Sequence, residues 1–302
     1  MIKIFDLSIN KYRTICAALI IALICPLFSG CADALSFDKS GETSRISLDE
    51  NVASDMIIVE KVEELDLDSD DTKDNLPDKD LSKASEELVK SDGLKYYHYD
   101  LLSDEDKVLY TEIYSIISNL SKDTKVSSKD PDKIEKAFSY VMLDHPELFY
   151  LTGYSFTKYM RGNRIEKITL SGNYTMTKNE ADSKKLLVDS YVDKCIEGYD
   201  GYVDDYEKVK YVYEYLIKNT EYDMSVANNQ NVLSVVVDNR TVCQGYAKAM
   251  QLILNRMGVF CILCEGVVKG TESHVWNIVR INDKYYHVDA TWGDASYMIE
   301  DT

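Results

Sequence analysis

The sequence has little positive charge, few histidines and no long hydrophobic run. Its 34 Lys and Arg stand against 52 Asp and Glu, a formal net charge of −18. Nucleic-acid binding needs clustered Lys and Arg to contact phosphates, so this charge argues against that class of protein. The four histidines form no His-Glu-x-x-His pair and show no other metal-ligand spacing. We therefore expect neither a metal nor another cofactor.

The apolar run near the N-terminus, residues 15–28, is too short to span a bilayer, which takes about 20 residues. It does have the length of a secretion signal, and it ends in Leu27-Phe28-Ser29-Gly30-Cys31. This ending resembles a bacterial lipoprotein processing site, which implies removal of residues 1–30 and lipid attachment to Cys31. An ordinary secretory signal or an uncleaved anchor is the alternative. In each case we expect the rest of the chain outside the cytoplasm, at the outer face of the membrane or the cell surface.

Residues 31–94 hold most of the negative charge, with 19 acidic and 7 basic side chains and hence a net charge of −12. Residues 32–94 contain no Trp or Tyr. Such a segment cannot bury enough apolar surface to offset the entropy lost on ordering. We therefore predict a disordered acidic tether over 31–94. An aspartate repeat from Asp66 resembles the start of a calcium loop, but Asp71 and Pro77 stand where Gly and Glu are required.

Residues 95–302 are predicted to fold as an α+β protein in two units. In the first, residues 95–202, helix signals at Ser103 and Pro131 are followed by two segments of alternating polarity, 148–160 and 165–176. We predict a small α/β subdomain there, without obvious chemistry of its own. His98 and His145 lie in this unit, and we expect both on the surface or in loops. Residues 203–302 are predicted to form the second unit.

Cys243 is predicted to stand at the start of a helix. Thr241 is a suitable N-cap, and the apolar residues from Met250 to Met257 recur at helical spacing. The positive end of the helix dipole favours a thiolate. Backbone N–H groups in the first helical turn lack intrahelical acceptors, so they can stabilise an oxyanion. Cys261 and Cys264 are three apart on a predicted strand and face opposite ways, so we expect buried thiols there and neither a disulfide nor a metal site.

His274 and Asp289 lie on two predicted strands joined by Asn282-Asp283. A two-residue turn at that dipeptide makes His274 the diagonal neighbour of Asp289 on one face of the hairpin, with about 7–8 Å between Cα atoms. A slip of one residue would separate the two side chains. With Cys243, this pair has the composition of a catalytic triad of nucleophile, general base and orienting carboxylate. His287 shares that face as a rival base, but we expect it to bond locally.

Three segments in this order carry a family resemblance: Val242-Cys-Gln-Gly-Tyr-Ala247, His274-Val-Trp-Asn277 and Tyr286-His-Val-Asp-Ala-Thr-Trp292. They resemble the transglutaminase-like superfamily, in particular its bacterial cytokinesis-type transglutaminase/protease domains and the kyphoscoliosis-type peptidases. The resemblance covers about residues 205–295. It implies a papain-like core, in which a helix bearing the cysteine packs on an antiparallel sheet bearing the histidine and the aspartate.

The resemblance also implies roles for individual residues. Cys243 is the expected nucleophile, His274 the base and Asp289 the orienting residue. Tyr222 and Gln244 are the candidates for additional oxyanion support, and Trp276 and Asn277 are the further candidates for supporting residues. The sequence ends at Thr302, 13 residues after Asp289. Related domains usually continue with another strand, so we expect a domain that lacks this strand or is truncated.

The function implied is that of a surface-anchored thiol enzyme acting on peptides, proteins or cell-wall peptide. It would cleave or transfer amide bonds through a thioester acyl-enzyme. Hydrolysis is slightly preferred over cross-linking because water is always available. The alternative is a non-catalytic module of the same fold that binds peptides or cell-wall polymer.

Overall fold

The computed structural model describes residues 5–6, 42–45, 56–65, 96–201, 204–268 and 272–294. Its helices are α1 (Tyr97–Asp100), α2 (Asp104–Ser118), α3 (Pro131–Asp144), α4 (Lys178–Glu197), α5 (Asp205–Asn219), α6 (Val232–Val237) and α7 (Cys243–Arg256). Its strands are β1 (Phe5–Asp6), β2 (Glu42–Arg45), β3 (Ile57–Glu64), β4 (Thr124–Val126), β5 (Leu151–Arg161), β6 (Arg164–Tyr174), β7 (Glu221–Tyr222), β8 (Arg240–Thr241), β9 (Cys261–Val268), β10 (Glu272–Ile281) and β11 (Lys284–Val288). A 3-10 turn spans Thr291–Gly293.

The first unit is built on a five-stranded sheet with the order β2-β3-β5-β6-β4. The antiparallel pair β5–β6 forms its centre, and helices α2 and α3 begin at the predicted capping residues. Ser103 accepts a hydrogen bond from the Asp106 amide, and Asp130 accepts one from the Asp132 amide. These caps satisfy N–H groups that the first helical turn leaves without partners.

Strand β3 corrects the prediction of a disordered tether over 31–94. Residues 57–64 pair in parallel with β5, and β2 pairs with β3 from the other side. The β-branched run Ile57-Ile58-Val59 provides the strand propensity that the average composition of the segment concealed. Glu60 also forms an ion pair with Lys158 of β5, at 2.6 Å. The tether prediction is therefore wrong at these positions, while Cys31 and its processing site lie outside the described residues.

His98 and His145 are both buried, at 5% and 0% exposure. His98 lies in α1, so the prediction of a surface or loop position is wrong for it, whereas His145 lies in the loop that follows α3, as predicted. His98 Nδ1 lies 2.7 Å from Asp144 Oδ1, and His145 Nδ1 lies 2.8 Å from Glu147 Oε1. Asp144, the last residue of α3, also accepts hydrogen bonds from the Tyr110 hydroxyl and the His98 and Tyr99 amides. One carboxylate thus joins α1, α2 and α3. Because it accepts their hydrogen bonds, the polar rings of His98 and Tyr110 can be buried in this core.

The second unit contains a four-stranded antiparallel sheet with the order β1-β11-β10-β9. Asn282 and Asp283 both have positive φ, 48° and 60°, as a tight hairpin turn requires. Asn277 pairs with Val288 and Ile281 with Lys284, so the predicted hairpin register is confirmed. At the outer edge of β11, residues 5–6 pair with Tyr286 and His287, where the sequence predicted a missing strand.

Helix α7 packs against β9 and β10 and against α5, α6 and α4. One buried apolar cluster includes residues from both predicted units, among them Ile113, Val192 and Met250. The chain therefore combines helices and sheets as the predicted fold class requires, with the cysteine-bearing helix beside an antiparallel sheet. In the part of the chain that is described, no helix has the length and apolarity needed to cross a bilayer.

We expect the Asp144→Ala variant to lose about 3 kcal/mol of unfolding free energy, because it leaves His98 and Tyr110 buried without their acceptor. Urea denaturation monitored by circular dichroism measures this change. Glu135→Ala, on the exposed surface of the same helix, is the control and should change the unfolding free energy by less than about 0.5 kcal/mol. Equal effects of the two substitutions would contradict the role of Asp144 as a buried junction.

Candidate active site

Cys243 is the first residue of α7, and its side chain is half-buried. The N-cap position is Val242, which makes no side-chain cap. Thr241, the predicted N-cap, is instead fully buried, and its hydroxyl donates to the Asn229 carbonyl at 2.6 Å. A Cβ on Gly245 would overlap the Thr241 hydroxyl, so glycine permits this close approach. The helix therefore begins at the cysteine with no capping side chain over its N-terminal amides.

Two of the other described cysteines, Cys195 and Cys261, contrast with Cys243 because they are buried. Burial raises the pKa of Cys195 to about 12, and burial also raises the pKa of Cys261 strongly. A thiol with such a pKa stays protonated at neutral pH and is a poor nucleophile. Of these three thiols, only Cys243 combines partial exposure with a helix N-terminus and a histidine partner.

His274 and Asp289 meet as the hairpin register predicts. His274 Nε2 lies 2.7 Å from Asp289 Oδ2, and the imidazole is 7% exposed. Asp289 follows β11 directly, and its second oxygen accepts the Trp292 amide at 3.3 Å. With Nε2 directed at the carboxylate, Nδ1 is the ring nitrogen left for the sulfur of Cys243.

The charge state of His274 follows from its surroundings. Burial lowers the pKa of His274, but hydrogen bonds to Asp289 and Cys243, together with their negative charges, outweigh burial and raise the pKa to about 9. The imidazole therefore holds a proton at neutral pH. A protonated imidazole between a thiol group and a carboxylate can deliver its proton to a leaving amine and recover it from an attacking water.

Two of the predicted supporting residues, Trp276 and Asn277, hold neighbouring parts of the site together by hydrogen bonds. The Trp276 indole N–H donates to His287 Nδ1 at 2.7 Å, so His287 bonds locally as expected; burial lowers the pKa of this second histidine. The Asn277 amide donates to the Ala247 carbonyl of α7 at 2.9 Å. Strand β10 is thereby tied to the helix that carries Cys243.

The two predicted oxyanion residues occupy other positions. Gln244 is buried as the second residue of α7. The Tyr222 ring packs against the main apolar core, and its backbone N–H donates to Asp294 at 2.7 Å. The oxyanion role of these two side chains stays a prediction, and the backbone N–H groups at the start of α7 are further candidate donors.

Asp294 is a structural anchor that sequence reasoning missed. It is 4% exposed, and its Oδ2 accepts the Tyr246 hydroxyl at 2.6 Å as well as the Tyr222 amide. A Cβ on the preceding Gly293 would overlap the Tyr213 hydroxyl. These contacts hold the turn after Asp289 against α5 and α7. In a sequence with 52 acidic residues, nothing local distinguishes this carboxylate from the others.

The first unit also reaches the site. Leu143, near the end of α3, packs with Cys243 against a small apolar cluster of Ala247, Leu263 and Val275. Its backbone carbonyl accepts the Gln251 side chain of α7 at 2.8 Å. The apolar cluster on which Cys243 packs is therefore shared with a residue from the unit for which no chemistry was predicted. Among the described residues, no group of three or more His, Cys, Asp or Glu side chains could hold a metal ion.

We expect Asp289→Asn to lower the pKa of His274 from about 9, because the buried imidazolium loses its carboxylate partner. A raised folded-state pKa stabilises the fold below the unfolded value of about 6.5, and this stabilisation is lost as the pH rises through the folded value. The unfolding free energy of the parent should therefore fall between about pH 6.5 and 9, and that of the variant should fall less. Urea unfolding at several pH values measures both slopes, and parallel slopes would contradict the assignment.

Residues 194–290 match the family model of the transglutaminase-like superfamily. The kyphoscoliosis peptidases of Mus musculus and Homo sapiens are each 26% identical over 107 residues, which covers 30% of this chain and 16% of the relative. The match thus spans less than a fifth of those relatives. A crystal structure of a TGase aligns with a TM-score of 0.33 and 14% identity, over 46% of this chain and 50% of that one. Residues 194–290 are thus similar to transglutaminase-like domains, and Cys243, His274 and Asp289 lie within this matched range.

Proposed function

We propose that this protein is a thiol enzyme that cleaves or transfers peptide amide bonds, with Cys243 as nucleophile, His274 as general acid and base, and Asp289 as the orienting carboxylate. The observation that carries the proposal is the 2.7 Å contact of His274 Nε2 with Asp289 in an imidazole whose pKa is also raised by Cys243. The relatives named as peptidases support the same class of reaction.

The proposed reaction has two steps. The Cys243 thiolate attacks the amide carbonyl carbon, the C–N bond breaks, and His274 gives its proton to the departing amine, which leaves a thioester. The backbone N–H groups at the start of α7 stabilise the oxyanion formed on the way. A water molecule then attacks the thioester, His274 accepts its proton, and the C–S bond breaks to release a carboxylic acid and the thiolate.

An amine can replace water in the second step and gives a new amide, which is the cross-linking reaction. We favour hydrolysis because the site faces water and because an amine acceptor needs its own binding surface. The substrate class that follows is an extended peptide or protein segment, cell-wall peptide included.

The reactivity of Cys243 tests the mechanism before any substrate is known. Iodoacetamide at pH 6 should alkylate Cys243 at least about tenfold faster than Cys264, a half-buried thiol on β9 that serves as the internal control. Peptide mass spectrometry of the treated full-length chain measures both rates. His274→Ala should abolish the difference. Equal rates in the parent chain would overturn the proposal of an activated nucleophile.

The reaction itself is tested with a cell-surface peptide mixture, incubated with and without an added primary amine. Hydrolysis should give fragments whose summed masses exceed the mass of the parent peptide by one water per cleaved bond, whereas transfer should give amine adducts. Cys243→Ala should give neither. Bound but unchanged peptides, equally retained by the parent and by Cys243→Ala, would favour a non-catalytic binding module.

We also propose that the protein is lipid-anchored through Cys31 at the outer face of the cytoplasmic membrane. Cleavage after Gly30 would remove β1 and expose the edge of β11. The Cys31→Ser variant should shift from the membrane to the soluble fraction in cell fractionation, because one thiol carries the lipid. Cys264→Ser is the matched control and should stay with the membrane. Unchanged fractionation of Cys31→Ser would contradict the anchor.

A further inference from the structure

Two tryptophans, the only ones in the chain, stack with the imidazole of His274. The ring centroids of His274 and Trp276 are 5.8 Å apart with 24° between the planes. Those of His274 and Trp292 are 5.4 Å apart with 14° between the planes. Aromatic pairs at these separations attract each other and restrict rotation of the smaller ring.

Contacts other than stacking hold the indole of Trp276 and the backbone that carries the indole of Trp292. Trp276 donates its indole N–H to His287. Trp292 donates its backbone N–H to Asp289, the same carboxylate that binds His274. The 3-10 turn that carries Trp292 is anchored at its end by the buried Asp294. The indole of Trp292 is thus presented to the imidazole by a fixed segment of backbone.

The exposure of Trp292 separates it from an ordinary core residue. Its side chain is 46% exposed, whereas the imidazole beneath it is 7% exposed. Trp292 therefore stacks on a buried imidazole while leaving much of its own surface in water. Removing it would open the histidine to solvent without emptying a buried cavity.

We propose that Trp292 is a positioning residue: its indole keeps the imidazole of His274 aligned between Cys243 and Asp289 and stabilises the imidazolium by stacking. The proposal rests on the function proposed above. The charged and titratable groups that face His274 are Cys243 from α7 and Asp289 after β11. Tyr213 of α5 lies near Asp289, and His287 lies beyond Trp276. Beside these groups, a π face favours the cationic ring over the neutral one.

The titration of His274 tests the proposal without a substrate. The chain has four histidines, so their imidazole resonances can be assigned by single substitutions and followed by NMR against pH in the full-length protein. Trp292→Leu, which keeps bulk but removes the π face, should lower the pKa of His274 by about half a unit, or about threefold in the proton-binding constant. Trp292→Phe should recover most of this loss.

The controls distinguish positioning from general disturbance. Tyr206→Leu replaces another exposed aromatic residue, on α5, and should leave the titration of His274 unchanged. The resonances of the buried His98 and His145 report on folding in every variant. Trp292→Ala, which removes an exposed side chain without adding contacts, provides a second test if Trp292→Leu does not fold.

In Trp292→Leu and Trp292→Ala, the alkaline limb of the pH profile of Cys243 alkylation should move to lower pH. The size of this shift should match the fall in the pKa of His274. An unchanged His274 titration in folded Trp292→Leu and Trp292→Ala would overturn the positioning role, even with Cys243 still reactive. A Cys243 in the parent chain that reacts no faster than Cys264 would instead overturn the proposed function. Failure of Trp292→Phe to restore the titration would show that stacking is not the cause.

Discussion

The hydrogen bond between His274 and Asp289 depends on a turn of two residues. Asn282 and Asp283 adopt positive φ and fix the register of β10 against β11. Because side chains alternate between faces along a strand, a shift of the register by one residue would place His274 and Asp289 on opposite faces. The imidazole charge, the direction of its free nitrogen toward Cys243 and the stacking of the two indoles all depend on this hairpin.

Helix α7, which carries Cys243, is positioned by a few specific hydrogen bonds. The Thr241 hydroxyl donates to the Asn229 carbonyl, and Gly245 allows Thr241 to approach the first turn of α7. Asn277 then ties the helix to the sheet that carries the histidine. Cys243 and His274 thus belong to two elements joined by a buried hydrogen bond. Such support preserves the geometry that a catalytic pair requires.

The first unit contributes more to the site than its sequence suggested. Near the end of α3, Leu143 packs against the same apolar cluster as Cys243, and the next residue, Asp144, accepts hydrogen bonds from buried donors in α1 and α2. His98 is buried against this carboxylate, and His145 is buried beside Glu147. Their sequence positions carry no sign of burial, because the carboxylate acceptor for His98 lies 46 residues away in the chain. Strand β3 was missed on similar grounds, since its partner β5 lies far along the chain.

The sequence by itself determined the helix that begins at Cys243, the hairpin register and the pairing of His274 with Asp289. These features arise from apolar periodicity at helical spacing, period-two alternation and turn chemistry, all of which act over a few residues. The tertiary structure alone decided the anchoring role of Asp294, the stacking of Trp292 on the imidazole and the packing of Leu143 against the same apolar cluster as Cys243. Each of these joins distant segments, and contacts of that kind are selected by packing of the whole chain and leave no local pattern.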